Sequence, residues 1–145
     1  MLTVKVQVEV RPTESEAKVK EAVGNLLDVE WVGEEKIGFI RVLEGEGRGA
    51  SSLQKLHDAL RRQRILDAAR KYLMRGLGSN YVKFYLNKQA AYVGVANFCT
   101  YEHGESPLGA IVVTVHTDDV RRLIDWLAPK TMRGKPVIEE SPPDP

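Results

Sequence analysis

The stretch VKVQVEV, residues 4–10, decides the fold. Val4, Val6, Val8 and Val10 alternate with Lys5, Gln7 and Glu9. A period of two sets all four valines on one side, the pattern of a half-buried β-strand and not of a signal peptide. A strand with one apolar face needs a sheet beside it and a layer to cover that face.

Working outward, Pro12 ends this strand, and Thr13-x-x-Glu16 has the form of a capping box. Val19, Ala22, Val23 and Leu26 follow at helical spacing, which predicts a first helix over 13–27. Residues 29–32 and 37–43 read as a β-hairpin around Gly33-Glu34-Glu35-Lys36, and EGEGRGAS (44–51) as a flexible connection. Ser51-x-x-Gln54 opens a second helix, expected over 52–74 and ended by Gly76. Its apolar residues change face: Leu53, Leu56 and Leu60 share one side, and Ile65, Ala69, Tyr72 and Leu73 nearly the opposite one. Either the two halves bury different faces, or the helix kinks near Arg62–Arg64.

Tyr81–Leu86 reads as a strand, Asn87-Lys88-Gln89 as a turn, Ala91–Ala96 as a further strand and 97–107 as a long loop. Leu108–His116 is β-branched and apolar, hence a buried strand. Thr117 caps a third helix with Val120, Leu123, Ile124 and Leu127 as its stripe, and Pro129 ends it. The expected order is β-α-β-β-α-β-β-β-α, an α+β fold with a mainly antiparallel sheet and three helices on one face. Residues 1–138 are expected to form one domain, and EESPPDP (139–145) a disordered acidic, Pro-rich tail.

The chain has 145 residues, 28% of them charged, and a net charge of +1. A single cysteine, Cys99, excludes an intrachain disulfide framework and suits a reducing cytoplasm. No apolar run approaches a membrane span. Positive charge is concentrated between Arg48 and Lys88. That segment holds ten Lys/Arg (Arg48, Lys55, Arg61, Arg62, Arg64, Arg70, Lys71, Arg75, Lys83 and Lys88) against Asp58 and Asp67, a net of +8. Such a segment is either a polyanion footprint or a solvated basic helix. On one continuous helix, His57, Arg61, Arg64, Lys71 and Arg75 form a stripe that would track phosphates. Tyr81, Phe84, Tyr85 and Tyr92 are either stacking platforms for unpaired bases or core residues.

Other motifs carry less chemistry. Gly45-x-Gly47-x-x-Ala50 superficially resembles a dinucleotide turn, but Glu44 and Glu46 flank it and no parallel β-α-β unit surrounds it. Cys99, Glu102, His103 and Glu105 share a loop, without a second Cys/His pair at ligand spacing. No cofactor and no metal are expected.

The segments RRQRILDAARKYL (61–73), FYLNKQAAYVGVANF (84–98), SPLGAIVVTV (106–115) and IDWLAPKTMRGKP (124–136) resemble a family of small archaeal proteins described as RNA-binding and exosome-related. The resemblance implies a fold similar to that of the ribosomal protein that binds 5S RNA, and no catalytic residues. Residues and resemblance together lead to a non-catalytic, cytoplasmic RNA-binding protein in an RNA-processing or ribosome-related setting. It would hold phosphates with the ten cations above and discriminate by shape. The second reading is an interaction subunit, a homodimer or exosome-associated protein, whose basic segment meets acidic protein surface.

Overall fold

The computed structural model describes residues 2–100 and 109–143. The alternating stretch is strand β1 (Thr3–Val10), and its four valines are at most 2% exposed. It lies in the middle of a six-stranded sheet of order β2-β3-β1-β6-β4-β5, with every pairing antiparallel. The other strands are β2 (Glu30–Ile37), β3 (Ile40–Arg48), β4 (Tyr81–Asn87), β5 (Phe98–Cys99) and β6 (Ala110–His116). Register carries the apolar face across the sheet, through Leu43 opposite Val8, Val113 opposite Val6, and Phe84 opposite Val113.

Among the described residues five α-helices cover that face, where three were expected: α1 (Glu16–Gly24), α2 (Gln54–Arg62), α3 (Leu66–Arg75), α4 (Lys88–Tyr92) and α5 (Val120–Leu127), with a 3-10 turn at Ala50–Leu53 leading into α2. Their buried residues join the valines of the sheet in one hydrophobic cluster. The opposite sheet face stays polar. One row across it reads Glu46, Lys5, Thr114, Lys83. The α+β class and the mainly antiparallel sheet are as expected; the element order is not.

Four differences have local causes. The β2–β3 turn is Gly38-Phe39, with Gly38 at φ 64°, so both strands run longer than read and the supposed connection 44–48 is strand. Gly45 and Gly47 lie within β3 and make room for the layer above. A Cβ on Gly47 would sit 2.6 Å from Ser52 Oγ and 2.7 Å from the Asp28 carbonyl oxygen. The apparent dinucleotide turn is therefore a packing device. Ala91–Ala96 is not a strand: the Asn87 side chain accepts from Ala90 N at 2.9 Å and starts α4 directly at the end of β4. A short strand, β5, stands where a loop was expected.

The long second helix is broken. Arg64 takes a left-handed φ of 58° and separates α2 from α3. Each half thereby turns its own apolar side to the core, Leu56, Ala59 and Leu60 in α2, and Leu66, Ala69 and Leu73 in α3. Gln63 holds the corner: its amide donates to the Ala96 carbonyl and accepts from Ala96 N, both at 2.9 Å. Gln63→Ala leaves both backbone groups of buried Ala96 without these partners. It is expected to cost about 1–3 kcal/mol in urea denaturation.

Candidate nucleic-acid interface

Gly76 ends α3 where the chain turns back against β4. Its carbonyl accepts from Lys83 N at 2.9 Å, and Gly78 N donates to the Tyr81 carbonyl at 2.8 Å. A Cβ at Gly76 would lie 1.7 Å from the Lys83 carbonyl oxygen, so only glycine permits this approach. The approach brings Arg75 and Lys83 to one cleft of about 230 Å³. The Arg75 guanidinium lies 5.3 Å from the Tyr72 ring centre, and the Lys83 ammonium 5.8 Å from that of Tyr85. Tyr81 completes the aromatic lining and tilts against His116 at 6.1 Å. Arg75 also lines a neighbouring cleft of about 630 Å³ with Lys71, Lys130 and Thr131. Arg75 is common to both clefts, and the second also holds the Asp67 carboxylate. Lys71, Arg75 and Lys83 are exposed and form no ion pair among the described residues.

The remaining cations of the 48–88 segment have other surroundings. Arg61 donates to the carbonyls of His57, Trp126 and Leu127 and holds Glu139 with Nε and Nη2 at 2.9 and 2.6 Å. It caps the negative end of the α5 dipole and satisfies carbonyls that have no partner within that helix. Its hydrogen bonds hold the Glu139 carboxyl below the ordinary range. Glu139 and Ser141, which Arg122 reaches at 2.9 Å, belong to the stretch expected to be a disordered tail; both are held against the body. Arg70 pairs with Asp125 at 2.9 Å, and Lys55 with Asp28 at 3.0 Å. Lys88 is fully buried on Glu14, and burial pushes its ammonium pKa down against the pull of that carboxylate. Lys88 thus offers nothing to a partner. Arg62 and Arg64 are exposed at the α2–α3 corner, and Arg48 at the end of β3.

The stripe expected from Arg61 to Arg75 therefore does not exist. The break at Arg64 leaves only Lys71 and Arg75, four apart on α3, on a shared face. Strand parity buries Phe84 in the core, at the floor of the cleft that Tyr81 and Tyr85 also line, while Tyr92 on α4 donates to Glu14 at 3.2 Å. Tyr72, Lys130 and Thr131 were not among the expected site residues. The i,i+3 spacing of Tyr72 and Arg75 is the one local signal for any of them.

Cys99 is buried, while Glu102, His103 and Glu105 lie outside the described residues. His57 stacks on Trp126 at 4.7 Å. Among the described residues no three His, Cys, Asp or Glu side chains gather to hold a metal ion, and no helix is long and apolar enough to cross a membrane.

Fold and site define an α+β protein with an antiparallel sheet covered on one face and a basic, tyrosine-lined edge. A family model described as RNA binding matches residues 3–117. The chain is 50% identical over 143 residues to a UPF0201 protein of Sulfurisphaera tokodaii, covering 99% of this chain and 98% of the relative. It is 48% identical to a UPF0201 protein of Aeropyrum pernix, covering 96% and 93%. The crystal structure of a UPF0201 protein from Methanococcus jannaschii superposes with a TM-score of 0.80 at 37% identity, covering 94% of this chain and 99% of that one. The chain belongs to this archaeal UPF0201 family.

Proposed function

We propose that the protein is a non-catalytic, cytoplasmic RNA-binding protein that holds RNA on the α3–β4 edge. The carrying observation is the convergence of Arg75 and Lys83, both without a carboxylate partner among the described residues, on a cleft lined by Tyr72, Tyr81 and Tyr85. Guanidinium and ammonium groups suit phosphate oxygens, and the rings offer faces or edges to unpaired bases. The match to a family model described as RNA binding supports the same reading. Recognition is led by phosphate and shape, with Lys71, Arg75 and Lys83 at its centre and Arg48, Arg62 and Arg64 as peripheral contacts. Lys55, Arg61, Arg70 and Lys88 are left out, because each already serves a carboxylate. RNA processing or a ribosome-related context is what the sequence resemblance implies.

The test is RNA affinity against salt for wild type and the Lys71→Ala, Arg75→Ala, Lys83→Ala triple variant. Three lost contacts to single-stranded RNA should lower the salt slope by about 2 and weaken binding to all sequences alike. Stability should change by only about 0.5 kcal/mol per exposed site. Equal slopes and affinities in two folded proteins would reject this edge as the site. Absence of RNA binding by wild type would turn attention to acidic protein surface as the partner.

A further inference from the structure

The segment Lys130–Pro136 folds into a small hairpin of its own. Strands β7 (Thr131–Met132) and β8 (Lys135–Pro136) pair as Thr131 with Pro136 and Met132 with Lys135. Arg133 and Gly134 form the two-residue loop, at φ 55° and 80°. Positive φ at both loop positions is the twist that a tight hairpin demands. Glycine takes the second position freely, whereas the first favours asparagine or glycine over a long side chain such as arginine. A strained position that keeps a charged, exposed residue invites a functional account.

The hairpin is strongly basic. Lys130, Arg133 and Lys135 fall within six residues that contain no acid, all three are exposed, and none forms an ion pair among the described residues. Met132, between them, is 70% exposed. The hairpin is nonetheless fixed in place. The Thr131 hydroxyl donates to the Asp67 carboxylate on α3, and Val137 N donates to the Lys130 carbonyl at 2.9 Å. Lys130 and Thr131 line the same cleft as Lys71 and Arg75. Lys130, Lys71 and Arg75 thus link the hairpin to the tyrosine-lined cleft, with the Asp67 carboxylate beside them taken up by the Thr131 hydroxyl.

We infer that the β7–β8 hairpin is a second phosphate-contacting element, which extends the α3–β4 site to a longer single strand. The inference rests on the RNA-binding reading above. Phosphates leaving the cleft past Arg75 meet Lys130, and the strained turn then holds Arg133 toward the polyanion. A short strand seated on Arg75 and Lys83 does not reach the turn; a long one does.

The experiment compares wild type with the Lys130→Ala, Arg133→Ala, Lys135→Ala variant on single-stranded RNA of about 4 and about 16 nucleotides. A control variant replaces Lys5, Lys18 and Lys36, exposed lysines elsewhere, by alanine. The hairpin variant is expected to lose about tenfold or more on the long strand and little on the short one, with a salt slope lower by about 2. The control is expected to lose neither. Arg133→Asn is the second variant. It suits the left-handed turn, so it should raise Tm while weakening long-strand binding. Equal binding of the long strand by wild type and the hairpin variant overturns the inference, as does an equal loss in the control. If wild type binds no RNA, the cleft reading fails by itself. The hairpin is then judged on immobilised heparin, a polyanion without bases: earlier elution of the hairpin variant than of the control supports it, and co-elution overturns it.

Discussion

Lys88→Met is expected to remove about 3–5 kcal/mol of stability, the cost of stranding one member of a buried ion pair. Lys88 Nζ donates to the Glu9 carbonyl at 2.7 Å and to both Glu14 oxygens at 3.0 and 3.2 Å, with no exposed surface. The Glu14 side chain is 5% exposed and also accepts from Arg11 N and the Tyr92 hydroxyl. These neutral donors remain after the substitution, but they do not balance the buried negative charge. Glu14→Gln should cost a comparable amount by leaving the ammonium without its counterion. The Lys88→Met, Glu14→Gln double variant should lose markedly less than the sum of the two, because neither charge is then stranded. Urea denaturation of the four proteins closes the cycle. Simple additivity would show that the pair is not coupled.

Gly76→Ala is expected to have the second large effect. The added methyl would meet the Lys83 carbonyl oxygen at 1.7 Å and its carbon at 2.8 Å. These are backbone atoms of a strand, so no side chain can swing away. The turn from α3 into β4 must open, at a cost of about 1–3 kcal/mol or more. Opening it separates Arg75 from Lys83, which the Lys83 N–H to Gly76 carbonyl bond now holds on one cleft. RNA affinity of the folded variant should therefore fall further than that of Arg75→Ala, although no charge is removed. An unchanged Tm and affinity would show that this approach is not what assembles the site.

The parts of the fold legible in the sequence are those governed by local periodicity. The valines of β1 declare their face by alternation, and Val120, Leu123, Ile124 and Leu127 of α5 by helical spacing. The change of apolar face between Leu60 and Ile65 correctly marked trouble in the long helix, but two geometries satisfy it. Arg64 at positive φ, with Gln63 bonded to Ala96 far along the chain, decides for the break. Helix α4 was missed because Ala91–Ala96, with Val93 and Val95, fits a strand equally well, and only the Asn87 side-chain bond starts the helix. For the site, the sequence located the positive charge but not its partners. Glu14 lies 74 residues from Lys88, and Glu139 lies 78 from Arg61, so no window along the chain reveals that these cations are occupied. Lys71 and Arg75, four apart on a helix, and Tyr81, Lys83 and Tyr85, alternating on a strand, are the elements that local spacing does reveal.

The central place of β1 has a consequence for how the chain is made. As the protein is synthesised, this strand leaves the ribosome before either of its partners. Its partner β3 follows within a few dozen residues, but on the other side Val6 waits for Val113. At about 5–20 residues per second, the second edge of a valine-rich strand stays open for roughly 5–20 s. An unpaired strand edge is where a nascent chain recruits a wrong neighbour. Lys5, Gln7 and Glu9 stand between the valines during that interval, so the residues that keep one face of the finished sheet polar also guard the unfinished one.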